Sequence, residues 1–327
     1  MKASDPANFA QNQTHGPASA GGQSHGPVKT FLQRRGVRIG HFAVALGFLA
    51  AGAGASALEK PEDKRRYSLY ALTPDRLLRD LTTDRPDTTE SPFTVDAGRI
   101  QIETNIFGFS RSRPDADGTR TDTYKLGTTN IRIGLTNSTE LNVVWQPYGN
   151  VKTRQNDSMA IFRSAGIGGL DIRGKVNLWG NDTFEKPGST ALALLPFITL
   201  PTDRRNGISP EFVEGGLIVP YAIKLSEKFG LGLNAGVLRT KPDADAGYHT
   251  EYLGSASLAY TWSERVGTYY EIAGRFHTKD PRGDVVNLGT GITFKLDKNT
   301  QLDAGINIGV TSAADRINPF FGLAKRF

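Results

Sequence analysis

The chain has 327 residues with no Cys, two Met, 37 Gly and 17 Pro, and 39 basic against 33 acidic residues give a formal charge of +6. Without Cys there is no disulfide framework, thiolate metal site, iron–sulfur cluster or cysteine nucleophile. A mean hydropathy of −0.35 leaves no room for a bundle of membrane helices, each needing about 20 apolar residues. It does not exclude a membrane β-barrel, whose strands alternate apolar with polar.

The basic excess is concentrated at the start. Residues 1–57 hold Lys2, Lys29, Arg34, Arg35 and Arg38 against Asp5 alone, and without them 34 basic residues face 32 acidic ones. That balance argues against nucleic acid as a partner. Residues 1–27 are polar and of low complexity, with His-Gly-Pro at 15–17 and again at 25–27. They read as a disordered extension or an upstream, mis-set start. Lys29 to Arg38, the apolar run Phe42–Ala53 and Ala55-Ser56-Ala57 have the layout of a secretory signal peptide, cleaved before Leu58. The apolar run is short and rich in Gly and Ala, which disfavours an uncleaved anchor. Export is expected.

From Leu58 to about Asp96 the sequence is charged and turn-rich, a periplasmic lead-in to the strands. Thr73-Pro74-Asp75 offers an N-cap with Pro at the first helical position, and Leu77, Leu78 and Leu81 form a small apolar stripe, predicting one short helix.

Thereafter the period is two. Leu302, Ala304, Ile306, Ile308 and Val310 alternate with Asp303, Gly305, Asn307, Gly309 and Thr311. The run from Leu288 to Leu296 behaves alike, with Asp297-Lys298-Asn299 between them as a tight turn. Similar turns stand at Asn137-Ser138-Thr139, Ser226-Glu227-Lys228 and Ser263-Glu264-Arg265. The pattern is that of consecutive hairpins.

About twelve strands result, near 98–111, 121–136, 140–149, 163–179, 189–200, 212–225, 229–240, 248–262, 266–278, 285–296, 300–312 and 317–327. All are long enough to cross a bilayer when tilted, and longer than most globular strands. Connections after the second, sixth, eighth and tenth strands are short, that after the fourth takes about nine residues, and those after the first, third and fifth are longer and polar. That asymmetry predicts an all-β, antiparallel up-and-down barrel over 97–327 with both termini in the periplasm. Trp179 and Trp262 fall at the ends of even strands, where an interfacial aromatic belt would lie, though core positions would also suit them. The last strand places Phe321, Leu323 and Phe327 on one face, interrupted by Lys325. The terminal aromatic resembles the signal by which such barrels reach their assembly machinery.

The segment from Thr83 to Gly98, reading Thr-Asp-Arg-Pro-Asp-Thr-Thr-Glu-Ser-Pro-Phe-Thr-Val-Asp-Ala-Gly, is succeeded by Gln101 and Glu103. It resembles the opening of the MetA-pathway phenol-degradation family, outer-membrane transporter-like proteins of Gram-negative bacteria. Further matches are Ile131–Thr136 leading to Glu140-Leu141, Gly168-Gly169-Leu170-Asp171 with Lys175, and Leu200-Pro201-Thr202; Asp203 stands where the family often has Gly. The resemblance runs from about Tyr67 to Phe327. It implies an outer-membrane barrel passing small, often aromatic or apolar compounds.

Within the opening motif, Pro86 and Pro92 suppress helix, and Asp84, Asp87 and Thr88 can bond nearby amides. Two roles are open for it: a partial plug at the periplasmic mouth pairing Arg85 with lumen carboxylates, or a cap that simply starts the first strand.

If apolar positions face lipid, the opposite parity faces the lumen. This selects Arg99, Gln101, Glu103 and Asn105 on the first strand, Asn130 and Arg132 on the second, and Asp171, Arg173, Lys175 and Asn177 on the fourth. Glu271, Arg275 and His277 are selected on the ninth, and Asp303 and Asn307 on the eleventh. A bare Arg or Lys on the lipid side costs about 2–4 kcal/mol at the midplane. Such charges either select solutes along a pathway or merely pair across a narrow barrel.

A structural or partner-binding barrel is the alternative, but its very long outer loops are missing from the pattern. An outer-membrane hydrolase would need Ser, His and an orienting carboxylate or amide. Only His249 and His277 lie beyond the leader, and no nucleophile motif surrounds them. Two histidines make a weak metal site, and Gly166-Ile167-Gly168-Gly169 sits in a strand with no helix behind it, so it is not a phosphate loop. The reading is a non-enzymatic channel without cofactor, whose partners are outer-membrane lipid, the assembly machinery and a small solute.

Overall fold

The computed structural model describes residues 62–155, 160–203, 207–241, 247–278 and 283–327. The expected signal peptide and its cleavage site lie outside the described residues. From Ile100 onward period-two alternation dominates, and the strands are β1 (Ile100–Arg111), β2 (Arg120–Gly134), β3 (Thr139–Trp145 continued by Tyr148–Arg154) and β4 (Ile161–Gly166 continued by Leu170–Trp179). They continue as β5 (Thr190–Leu200), β6 (Glu214–Lys224), β7 (Phe229–Thr240), β8 (His249–Thr261), β9 (Val266–His277), β10 (Val285–Asp297), β11 (Thr300–Gly309) and β12 (Asn318–Arg326).

Each strand pairs antiparallel with its sequence neighbours, and β12 returns to β1 with Gln101 opposite Arg326 and Glu103 opposite Ala324. The sheet is a closed twelve-stranded barrel, so it has no exposed edge. Hairpins close where the turn chemistry allows: in the turns at 226–228 and 263–265 the Ser226 and Ser263 hydroxyls accept amides two and three residues on. These serines mimic a backbone turn.

Outward positions carry large apolar side chains that stay exposed, among them Ile172, Ile198, Tyr252, Ile272, Leu288, Ile292 and Ile308. A belt of this size around the wall is untenable in water and marks the lipid-facing surface of a membrane barrel. No helix among the described residues is long and apolar enough to cross a membrane. Trp179 and Trp262 are both exposed, at the ends of β4 and β8, as an interfacial belt requires.

Three expectations are corrected. The short helix is only a three-residue 3-10 turn, Asp75–Leu77, after which Leu78 is extended. Three leucines cannot offset helix nucleation, and the Arg79 amide is taken by Asp96 instead. The third strand does not end at 149: Pro147 breaks the ladder, which has no use for a residue lacking N–H, and pairing resumes to Arg154. The next connection is correspondingly shorter. The fourth strand is not continuous through Gly166–Gly169; Gly168 and Gly169 press on Gln146 and Pro210, leaving no room for a Cβ.

Candidate functional site

Burial inside the barrel is polar. Arg132, Arg173 and Lys175 are among its most buried side chains, at 0%, 2% and 0% exposure. A buried cation must be matched by charge and hydrogen bonds, and here part of the matching comes from the lead-in. From Leu81 to Ala97 the chain leaves the wall and runs through the interior as a tongue. It enters at the end of the barrel holding Ile100 and Arg326, and turns back before β1.

Near the entry, Lys175 Nζ donates to both Asp84 oxygens (2.7 and 2.8 Å). Arg132 forks onto Glu140 (3.1 Å twice) and reaches Glu103 at 2.9 Å and Asp84 at 3.3 Å. Glu103 also accepts the Asp84 amide, and Gln101 donates to the Thr82 carbonyl. On β11, two strands round from β1, Asp303 pairs with Arg85 at 2.7 Å. Gly322 of β12 makes room for this pair, since a Cβ there would lie 2.4 Å from the guanidinium.

The tip, Thr88–Glu90, reaches the middle of the barrel. Both Thr88 and Thr89 amides donate to Glu271 (2.9 and 2.7 Å), and the Thr89 hydroxyl adds 2.6 Å to Glu271 and 2.8 Å to Ser255. The Asn234 side-chain amide clasps the Glu90 backbone, accepting at 2.7 Å and donating at 3.0 Å. Arg173 joins the Glu90 carboxylate (2.8 Å) to Asp171 (2.7 Å). The return leg is fixed by Asn177 donating to the Pro92 carbonyl and by Glu140 accepting the Val95 amide. Buried backbone polar groups must be satisfied, and for this irregular segment the barrel wall supplies the partners. Side chains from nine strands reach its backbone or side chains, so the tongue is tied around the circumference.

At the rim of the barrel the lead-in is anchored again. Arg79 and Lys64 contact Asp182 of the β4–β5 turn (3.3 and 2.9 Å), and Asp96 lies 3.5 Å from Arg326. Asp182 is held below the usual carboxylate range: burial opposes this, but the Asn137 hydrogen bond and the Arg79 and Lys64 cations outweigh it.

Beyond the tip the lining changes. Leu195, Ile218, Leu238, Leu253 and Ala273 form a buried apolar patch across β5 to β9, with Phe197 packed on it. Beside it Arg275 pairs with Glu251.

The structure sorts the residues selected by parity into distinct places. Glu103, Arg132, Asp171, Arg173, Lys175, Glu271 and Arg275 are buried in the interior, and all but Arg275 belong to the network around the tongue. Asp84, Arg85 and Pro86 lie in the tongue itself, as does Asp87, which faces Glu271 and is bonded by Ser257. Arg99 is the exception. It precedes β1 and binds the Thr73 carbonyl and Asp75 at the rim, so it does not line the lumen. Glu90, Glu140, Asn234, Glu251 and the apolar patch are additional. Glu140 and Glu251 stand at inward parity on their strands, a signal available in the sequence.

The family described as "Putative MetA-pathway of phenol degradation" matches residues 83–327. Among solved structures, an outer-membrane channel from Pseudomonas putida F1 aligns over 75% of this chain and 100% of that one, at 12% identity and TM-score 0.57. The transport unit of the autotransporter AIDA-I from Escherichia coli aligns over 77% and 94%, at 13% identity and TM-score 0.48. Among curated proteins none matches. The channel likeness supports the barrel architecture. The family match begins at Thr83, where the tongue motif begins, ends at Phe327 and covers well over half of the sequence, so the chain belongs to the MetA-pathway phenol-degradation family.

Proposed function

We propose that this protein is an outer-membrane channel for small solutes in which the tongue is the gate. The observation that carries the reading is the position of residues 81–97: they fill a polar lumen without belonging to the wall, and every tie to it is a side chain that can exchange its partner for water or solute. The lumen beyond the tip suits a solute with an aromatic or apolar body and a polar group, because the patch around Leu195, Ile218, Leu238 and Leu253 adjoins the Arg275–Glu251 pair. This agrees with the compounds the family resemblance implies. Export would depend on the leader over 1–57, and insertion on the C-terminal strand ending at Phe327. Arg132, Arg173, Lys175 and Glu271 act as the tongue's docking points, and no chemical step is assigned to them.

Planar-bilayer recordings on the folded chain and on a variant lacking residues 58–92 test the reading, with heat-modifiable gel migration reporting folding. Brief conductance steps are expected from the intact chain, and larger, long-lived ones from the deletion. A folded barrel that is silent in both forms would refute transport. Equal conductance in both would leave a channel whose tongue is not its gate.

A further inference from the structure

At the barrel end opposite the tongue's entry, β8 begins and β9 finishes with a histidine. The register sets Glu251 opposite His277 and His249 opposite Thr240. Both imidazole Nε2 atoms converge on one oxygen of Glu251, at 2.7 Å from His249 and 3.3 Å from His277. The two nitrogens and the oxygen all lie within 4.8 Å of one another. The rings are stacked 6.1 Å apart at 28°, so their edges point to the same place. None of this is used by the tongue, whose tip stops at Glu271 and Asn234.

We propose that His249, His277 and Glu251 form a binding site for a divalent transition metal ion of the Zn2+ type. Two imidazoles and one carboxylate are a donor set that Zn2+ accepts in four-coordinate geometry, with the fourth position left for water. Ligand atoms around such an ion stand roughly 3.3 Å apart, given bonds of about 2.0–2.2 Å. The observed spacing therefore needs only rotamer adjustments of about 1 Å.

A second set of contacts points to the same use. The Asp284 carboxylate accepts the His277 amide at 2.8 Å and lies 3.8 Å from His277 Nδ1, beyond hydrogen-bond distance but within a rotamer change of the bond that would orient a ligating ring. Arg275 holds the other Glu251 oxygen, and the Thr240 hydroxyl donates to Oε1 at 2.9 Å. Outer partners of this kind fix ring orientation and carboxylate rotamer around bound metals. Among the described residues, the charged groups facing the site are Glu251 and Asp284 against Arg275, a net −1 that a dication would overturn rather than aggravate. Glu251 is 1% exposed, so it gains a cation where water is scarce.

The test uses the full chain, purified without a histidine tag, with His15, His25 and His41 replaced by Gln so that only two imidazoles remain. Calorimetric titration with ZnCl2 should show one ion per chain. Co2+ should produce the intense visible bands of a four-coordinate site, displaced by Zn2+. His249→Gln and His277→Gln should each weaken Zn2+ binding at least tenfold, and Asp284→Asn by about tenfold or more, with heat-modifiable migration unchanged. No saturable uptake by a folded barrel overturns the proposal, as does uptake that persists in the His249→Gln/His277→Gln double variant. Should those variants not fold, the Co2+ spectrum of the parent decides alone, and octahedral, weak bands would count against the site. None of these readouts depends on conductance, so the site stands or falls separately from the channel.

Discussion

Arg132 is a buried cation on which three buried carboxylates converge. It touches Glu140, Glu103 and Asp84, and only Lys175 shares the load. Removing one partner from a buried ion network leaves uncompensated charge and costs about 3–5 kcal/mol. Arg132→Met is accordingly expected to lower the urea midpoint of the heat-modifiable barrel, with Arg132→Lys between it and the parent because a point charge cannot fork onto Glu140. A midpoint unchanged by Arg132→Met would mean that water reaches these carboxylates. Asp87 makes the opposite case. It faces Glu271, and two carboxylates in one site disfavour each other's charge. Asp87→Asn, neutral at every pH, should therefore not loosen the tongue; a rise in the channel's open time would contradict the contact. Most of the interior charges are legible from parity alone, because placing Arg or Lys against lipid is the costlier choice. Arg99 is not, since parity has no meaning one residue before the ladder begins. The partners of these charges are legible only in part: Arg85 with a lumen carboxylate belongs to one of the two roles open for the opening motif, but that Glu271 accepts two tongue amides depends on contacts far apart in sequence.

At the scale of elements, the twelve strands arise from alternation and turn residues, and the stretches where pattern and structure differ share one cause. In Gln146–Arg154 and Ile161–Gly169 polar and apolar residues no longer alternate cleanly, so the strand boundary is set by pairing with β2 and by the packing of Gly168 on Gln146. The lead-in is turn-rich in sequence as in structure, but a sequence does not show that an irregular segment finds its hydrogen bonds inside a barrel. Its outer anchor is open to titration. Asp182 has a lowered pKa in the folded protein, so its contribution to anchoring is complete above its unperturbed value of 3.8 and is lost as pH falls through the lower, folded value. The chain has no Cys, so a fluorophore placed through Tyr70→Cys, at a residue 93% exposed, reports on this segment alone. Its anisotropy should fall as the pH drops below about 4, and Asp182→Asn should remove part of that pH dependence. Identical acid titrations in the two chains would place the anchor elsewhere.

For the molecule as a whole, a closed barrel makes the tongue the less costly part to displace, since releasing a strand would expose ladder N–H and C=O groups to lipid while releasing the tongue exposes its own polar groups to water. The difference in cost sets where a conformational change can occur. It also means that one covalent tie between tongue and wall should suffice to fix the state of the channel. The Thr89 and Ser255 hydroxyl oxygens are 2.8 Å apart, both buried, one at the tip and one on β8. Sulfur atoms in their place need to approach to about 2.05 Å, a small closure for two side chains already in contact. In a chain with no Cys of its own, Thr89→Cys/Ser255→Cys forms this disulfide without competing pairs. The oxidised double variant is expected to insert into bilayers as a folded, heat-modifiable barrel that conducts little or nothing, and a reductant added to the same membrane should restore conductance within the recording. Each single substitution, treated alike, should conduct throughout, which separates the bond from the loss of the Thr89 hydroxyl. Conductance that persists with the bond verified by mass spectrometry would mean that solutes pass beside a seated tongue, and the gate would then have to lie beyond the tip, among the apolar patch and Arg275.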